Sequence, residues 1–311
     1  MRIYGSEVTG SLRVKGDIFA ENYIVKSTVS TITQSFSSGS TIFGDSADDT
    51  HQFTGSLFIS GSRISIDDGG ANTAIGKNAG QAITSGARNI AIGNNSLDAL
   101  TTGTNNVSIG VSALTAADGL ERENVAIGYY AGGAVNSDSA TRNVFIGEYA
   151  GYGGTGALNY SVAIGYEAGD HASGSYNTFV GGYAGQGGTT SAPYSSGENN
   201  VAVGYQALDA FTTADDVVAI GRSAGTAITT GGYHVLIGSG AGQSLTGGNY
   251  TTHVGYRAGR YNTAAYNTSL GHGALLGVSG TSTGGNNVAV GYNALTALTT
   301  GTGNTAVGYL A

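Results

Sequence analysis

The stretch Asn287-Val288-Ala289-Val290-Gly291-Tyr292-Asn293-Ala294-Leu295 is the clearest copy of a motif that fills most of this chain. The motif is Asn, a β-branched residue, a small residue, a β-branched residue, Gly, two variable positions, Ala, and then Gly or Leu. Its first glycine recurs fourteen times, at Gly76, Gly93, Gly110, Gly128, Gly147, Gly165, Gly181, Gly204, Gly221, Gly238, Gly255, Gly271, Gly291 and Gly308. Most steps are 16 to 18 residues long, and 17 is the commonest. A period this short and sustained is typical of a solenoid, in which each repeat forms one coil stacked on the last.

The composition of the 311 residues agrees with a repeat protein and not with a conventional globule. The chain has 55 glycines, one proline, no cysteine and no tryptophan, so a core of large interlocking side chains is not expected. Collagen is excluded because the glycines follow no Gly-X-Y period. Disorder is disfavoured because only 10% of the residues are charged and the β-branched pattern is strict.

The motif itself predicts a short strand. Alternate residues such as Val288 and Val290 point to one face, and β-branched residues favour extended structure. We expect this β-branched row to lie inside the coil and the Asn and small residues to lie on the opposite face, with the amides hydrogen-bonded from coil to coil. The glycine after the strand allows a positive φ or the close approach of the next segment. The predicted fold is all-β, a parallel β-solenoid (a β-roll or β-helix) of about fourteen short coils over residues 71–311.

The rest of each coil leaves two alternatives open. The apolar spacing in 294–301 suits one helical turn, whereas glycine interrupts 168–171 and would make a poor helix. This side is therefore either a second short strand or a single turn, followed by a bend. The longer steps, through 186–199 and 277–285, predict spacer loops on one face.

Residues 1–70 differ from the repeats and predict a separate N-terminal region rich in β-structure. Leu12 and Val14, and again Leu57 and Ile59, are apolar residues two apart between turn glycines, the pattern of short strands. Such strands bury too little surface alone. We expect this region to trimerise or to attach the chain to a partner.

The charge pattern excludes some classes of partner. Residues 1–216 carry a formal charge of −11 and residues 217–311 carry +3, which gives −8 for the chain. No dense cluster of Lys and Arg suggests a nucleic acid partner. No run is long and apolar enough for membrane insertion, and the first residues contain no apolar signal segment. If the protein works outside a cell, we expect it to leave by a route other than its own signal peptide.

No motif for catalysis or metal binding is apparent, so we expect no enzyme activity and no cofactor. The adjacent pairs Asp48-Asp49, Asp67-Asp68 and Asp215-Asp216 would point to opposite faces of a strand and not converge across a cleft. Three histidines fall in consecutive coils at different motif positions, which is no metal-ligand spacing. Those residues are His234, His253 and His272.

Tyrosine supplies the candidate contact surface. It follows the motif glycine in several coils and would form an aromatic row along the stack. Such a row could stack on sugar rings or pack against neighbouring chains with its hydroxyls in water, and packing is the simpler interpretation. The row consists of Tyr129, Tyr166, Tyr205, Tyr256 and Tyr292.

The Asn-Val-Ala-Ile-Gly motif at 124–128 resembles the head repeat of trimeric autotransporter adhesins, in which short coils form a parallel β-roll and three chains pack side by side. Similar, longer repeats occur in phage tail fibre proteins. The segments 32–45 and 49–57 resemble the opening of structural tail fibre proteins of marine tailed phages. This resemblance implies a homotrimeric tail fibre subunit in the extracellular virion. It also implies contacts of residues 1–70 with other tail or baseplate proteins, and contacts of the shaft with host-surface glycans.

Three alternatives remain open at this stage. A cell-surface trimeric adhesin would need an export signal or anchor. An ice-binding solenoid is suggested by the pairs at 101–102, 212–213, 229–230 and 299–300, all Thr-Thr, although the bends vary in length. A polysaccharide-cleaving tail spike would need converging carboxylates.

Overall fold

The computed structural model describes residues 70–136, 140–153, 158–188 and 194–311. The chain divides into two compact units, Met1–Ser62 and Arg63–Ala311, and all described coils belong to the second. The N-terminal region predicted over 1–70, except Gly70, lies outside the described residues. So do the aspartate pairs at 48–49 and 67–68 and residues 189–193 of the 186–199 loop.

The described part of the chain is all-β, without a helix, and confirms the parallel β-solenoid. Its strands form one parallel sheet in which each strand pairs with its neighbours in the sequence, giving about thirteen turns. The strands are β1 Thr73–Ile75, β2 Ile90–Ile92, β3 Val107–Ile109, β4 Val125–Ile127, β5 Val144–Ile146, β6 Val162–Ile164, β7 Thr178–Val180, β8 Val201–Val203, β9 Asp215–Ile220, β10 Gly232–Ile237, β11 Thr252–Val254, β12 Thr268–Leu270, β13 Val288–Val290 and β14 Thr305–Val307.

The register of the sheet places each motif position beside itself in the next coil. Between β4 and β5, for example, Val125 pairs with Val144 and Ile127 with Ile146. The same correspondence holds at the first pair of strands and at the last. Each motif position therefore forms a row that runs along the solenoid axis.

The expected orientation of the strand faces is wrong. In β4 the central Ala126 is fully buried, Val125 is half-buried and Ile127 is 37% exposed, so the β-branched residues point outward and the small residue points inward. The coil is flat: its turn side lies close behind the strand and contributes further buried side chains such as Ala131 and Leu114. An interior this narrow accepts small residues in most coils. The β-branched residues keep their preference for extended backbone on the outer face instead.

The asparagine row also lies inside, where it forms the coil-to-coil amide ladder that the sequence predicts. The Asn106 backbone N–H and side-chain Nδ2 both donate to Asn89 Oδ1, at 3.0 and 3.1 Å. Nδ2 also donates to the carbonyl oxygen of Glu121, at the far end of the same coil, at 2.8 Å. One amide therefore joins a coil both to the preceding coil and to its own end. A fully buried polar group is tolerated here because its hydrogen bonds are made.

The motif glycine is required both by its backbone conformation and by the lack of space. Gly76 has φ +132°, a region that L side chains rarely adopt, and a Cβ there would lie 2.6 Å from the carbonyl oxygen of Gly93. The glycine row thus allows consecutive coils to stack directly after each strand.

Of the two alternatives for the remainder of the coil, the structure gives the turn. A turn follows each motif glycine, and the later part of the coil is joined to its neighbours by isolated parallel bridges such as Ala87 with Thr104 and Thr104 with Arg122. Within the described residues no second multi-residue strand forms on this side.

Candidate functional site

The outward side of the parallel sheet is an apolar surface, which we call the sheet face. It consists of the first and third residues of each three-residue strand and of the fourth and sixth residues of β9 and β10, and these are mostly Val and Ile. The third row is the more exposed: Ile127 is 37% and Leu270 51% accessible. Within the described residues, no other segment covers this surface. It therefore runs as one apolar stripe along all fourteen strands.

The dimensions of the sheet face are those of an interaction surface. Thirteen inter-strand spacings of about 4.8 Å give a length of about 60 Å, and two outward rows that each take up about 6.6 Å give a width of about 13 Å. The resulting area of about 800 Å² exceeds the largest apolar patch of a typical monomer, about 300–600 Å². An apolar area of this size points to a partner.

The predicted tyrosine row borders one edge of the sheet face. Its five residues are exposed by 41–51%. The row is not continuous, because Glu148, Gly182, Arg222 and Ser239 hold the same position in other coils. Only the last four coils give an unbroken ladder of rings, with centroid distances of 5.1 Å, 5.0 Å and 5.3 Å along the series Tyr256, His272, Tyr292, Tyr309.

A second tyrosine row, which the sequence analysis missed, borders the opposite edge. It lies two residues before the first outward residue of each strand and contains Tyr160, Tyr176, Tyr233, Tyr250 and Tyr266, all exposed. Tyr233 and Tyr250 stack at 5.0 Å with an interplanar angle of 9°, and Tyr250 and Tyr266 at 5.8 Å and 25°. The fixed offset from the strand was the available signal. It was overlooked because the motif was counted from the asparagine onward.

The stacking within these rows decides what the tyrosines can do. In the runs 233–250–266 and 292–309 the rings face one another along the solenoid axis, so their faces are occupied and their edges and hydroxyls point outward. A sugar ring stacks on an aromatic face, whereas a packed protein surface also accepts ring edges with wet hydroxyls. The geometry of these runs therefore favours packing against a neighbouring chain.

Two of the three histidines lie inside the solenoid and not on its surface. His234 takes the place of the ladder asparagine and His253 that of the strand's central small residue, and both are buried. Burial lowers the pKa of His234 to about 4 and that of His253 to about 3, the latter helped by the charge of His234. His253 Nδ1 lies 2.7 Å from Ser269 Oγ. Both rings are neutral packing elements at pH 7.

Of the adjacent aspartate pairs in the sequence, Asp215-Asp216 is the one that lies within the described residues. Asp215 and Asp216 are both exposed, and Asp215 Oδ1 accepts a hydrogen bond from the Glu198 backbone N–H at 2.7 Å. Burial raises the pKa of Asp170 to about 6 and also raises that of Asp209. These two buried acids lie in different coils, after β6 and after β8.

The threonine pairs have a structural role in the coils. Thr101 Oγ1 donates to the carbonyl oxygen of Asp118 at 2.8 Å, Thr212 Oγ1 to that of Thr229 at 2.8 Å, and Thr229 Oγ1 to that of Thr246 at 2.9 Å. These hydroxyls bond coil to coil along the axis. The hydroxyl protons of these three threonines are therefore used within the solenoid.

Comparisons with known proteins assign no family to this chain. No protein-family model, curated protein or solved structure matches the chain. In the part of the chain that the structure describes, no three His, Cys, Asp or Glu side chains form a group suited to a metal ion. No helix there is long and apolar enough to cross a membrane.

Proposed function

We propose that this protein is a structural subunit of a viral tail fibre, a rod that assembles as a parallel homotrimer and supports attachment to a host surface. The observation that carries the proposal is the combination of an unbroken fourteen-stranded parallel sheet with an apolar outer face. A continuous sheet suits a mechanical spacer, and an apolar face suits lateral assembly.

The stiffness of such a rod follows from the direction of its hydrogen bonds. The backbone bonds between strands, the asparagine amides and the threonine hydroxyls all run along the solenoid axis. Bending the rod would stretch several of these bonds at each coil. Each coil contacts only its neighbours, so length can be added coil by coil without changing the fold.

Lateral assembly is attributed to the sheet face and not to the Ala and Ser row. The Ala and Ser row is buried inside the coil and cannot reach a neighbouring chain. The Val and Ile rows remain exposed, and their area of about 800 Å² matches the roughly 800 Å² per partner of a stable interface. In-register copies would also bring the second tyrosine row, at Tyr233, Tyr250 and Tyr266, into contact with a neighbour.

The number of chains and the setting of the fibre rest on the sequence resemblance. The adhesin-like motif implies three chains, and the segments within residues 1–70 imply a junction with other tail or baseplate proteins. Binding of host glycans belongs to the same proposal.

Electron microscopy of the purified full chain, combined with its mass from light scattering, tests this function. Rods of uniform width with the mass of three chains would support it. Monomeric particles at micromolar concentration would contradict lateral assembly.

A further inference from the structure

The three cationic side chains of the last third of the chain are gathered at one place. Residues 217–311 contain no Asp or Glu, and their charged side chains are Arg222, Arg257 and Arg260. All three line a single open cavity together with Ser239 and Gln243. Side chains up to 38 positions apart in the sequence therefore meet, because the period of about 17 residues stacks the turns after β9, β10 and β11 on one another.

The cavity exists because the turn after β10 has small residues where the neighbouring turns have arginines. Arg222 follows β9, Ser239 and Gly240 follow β10, and Arg257 follows β11, so the two arginines bracket the middle coil. A Cβ on Gly240 would lie 3.6 Å from Gln243 Oε1 and 3.7 Å from Arg257 Cγ, and a longer side chain there would fill the space. The hollow has a volume of about 60 Å³. That exceeds the volume a single water needs, roughly 10–15 Å³.

The arginines of this cavity have no anionic partner among the described residues. None of the three forms an ion pair. Arg260 Nε is buried without a hydrogen-bond acceptor, which is unfavourable for a charged donor. Two of the guanidinium groups lie instead over the rings of Tyr256 and Tyr261, 4.9 and 5.0 Å from the centroids.

Two arginines elsewhere on the solenoid have a hydrogen-bond acceptor on a neighbouring coil. Arg142 Nε lies 2.5 Å from Glu123 Oε2, and Arg88 Nε donates to Asn105 Oδ1 at 2.7 Å. Three cations around a polar hollow, with a buried donor unpaired, are therefore a departure from the pattern of this chain. The charge and the unpaired donor of this cavity are suited to an anion.

We propose that this cavity binds one oxyanion group, a sulfate ester or carboxylate, carried by an acidic saccharide. Guanidinium groups match planar or tetrahedral oxyanions with paired hydrogen bonds. The neutral Ser239 and Gln243 suit the hydroxyl groups of an adjoining sugar. The volume fits one such group. The saccharide as carrier rests on the attachment role proposed above, whereas the oxyanion site rests only on the geometry of the three coils.

Calorimetric titration of the full chain in a low-salt buffer tests the site, first with sodium sulfate and then with a glucuronate-containing oligosaccharide and a neutral one of equal length. We expect saturable binding of one sulfate per chain and preference for the acidic oligosaccharide. Arg260→Gln should weaken binding at least tenfold. Gly240→Asn should abolish it by filling the hollow, and Asn occupies this row at Asn78 and Asn293 without loss of the fold.

The matched control is Arg88→Gln, an exposed arginine on another coil, which should bind like the wild type. Absence of saturable sulfate binding, or equal losses in Arg260→Gln and Arg88→Gln, would overturn the site. Sulfate binding without a preference for the acidic oligosaccharide would overturn the saccharide as carrier. A monomeric chain that still binds sulfate would count against the fibre and for the site, so the two proposals fail separately.

Discussion

The ring of Phe145 fills the space that a side chain at position 132 would need, since a Cβ on Gly132 would come within 2.8 Å of Phe145 Cδ2. Gly132 is the fourth residue after a motif glycine, a position that we call the corner of the coil. The glycine at the corner of the coil of Phe145, Gly151, is likewise filled by this ring. Phe179 stands in the same relation to Gly169 and Gly185. A large residue at the strand centre is thus matched by glycine at both adjacent corners.

The converse holds where the corner is leucine. Leu97 is fully buried between the small strand centres Ala91 and Ser108, and Leu208 between Ala202 and Ala219. These leucines adopt a positive φ, +49° for Leu97, which costs roughly 1–2 kcal/mol. Full burial of a leucine contributes about 1.5–3 kcal/mol, so packing outweighs the backbone strain. Each coil therefore keeps a nearly constant core volume.

The first prediction concerns this exchange of volume. Phe145→Ala should lower the free energy of unfolding by about 3–5 kcal/mol, since it leaves a cavity. Gly132→Leu alone should lower it by about 1–3 kcal/mol through overpacking. The double variant reproduces the Leu97 arrangement and should be at least about 1 kcal/mol more stable than the sum of the two changes implies. Urea denaturation of the four proteins measures this, and strict additivity would refute the matching.

The second prediction concerns the asparagine ladder. Asn106→Ala leaves the Glu121 carbonyl and the Asn124 backbone N–H unpaired inside the coil. Each buried orphan costs about 1–3 kcal/mol, so we expect a loss of about 2–4 kcal/mol in the free energy of unfolding. Asn94→Ala, at an exposed position in the turn after β2, should change it by less than about 0.5 kcal/mol. Similar losses in both variants would contradict a role for the ladder.

The third prediction concerns pH. The folded pKa of His234, about 4, lies below its unfolded value of 6.5, so the unfolded chain binds the proton first. The stability contributed by the neutral ring is complete above pH 6.5 and is lost as the pH falls toward 4. The loss from this group is on the order of 2–3 kcal/mol. His234→Asn, which restores the ladder residue, should remove it.

Urea denaturation of wild type and His234→Asn at pH 7, 5.5 and 4 measures the difference. The raised pKa of Asp170 acts in the opposite direction, because its folded state prefers the protonated form, but this contribution is common to both proteins and cancels. Parallel pH profiles for the two proteins would show that the buried histidine does not control acid stability.

The fourth prediction concerns the sheet face. Ile127→Arg combined with Ile146→Arg places two charges in adjacent coils on the surface proposed to pack, and both positions are exposed in the single chain. We expect the fold to remain intact by circular dichroism while self-association weakens at least a hundredfold. Ser85→Arg, exposed on the turn side, should leave association unchanged. Sedimentation velocity distinguishes these outcomes, and equal association of all three proteins would exclude this face.

Much of the fold could be predicted from the sequence because the motif fixes period and register together. The glycine row and the amide ladder follow from positions that repeat, such as Gly76 and Asn106. Which strand face is internal did not follow, because alternation defines two faces without saying which is inside. The pairing of a large residue at 145 with glycine at 132 indicates which face is internal, because only an interior must keep its volume constant.

The candidate sites were less predictable for a related reason. The tyrosines after the motif glycine were found, but the row at Tyr250 required knowing that the residue two before the strand also points outward. The arginine cavity required the register as well as the period. Arg222 and Arg257 meet only because the intervening coil places Ser239 and Gly240 between them.

The mass of the full chain in solution tests the central claim most directly, because the exposed sheet face has to be covered if the protein is a fibre subunit. Light scattering at micromolar concentration should give three times the chain mass of 30.9 kDa, about 93 kDa. A mass of 30.9 kDa would contradict assembly through the sheet face.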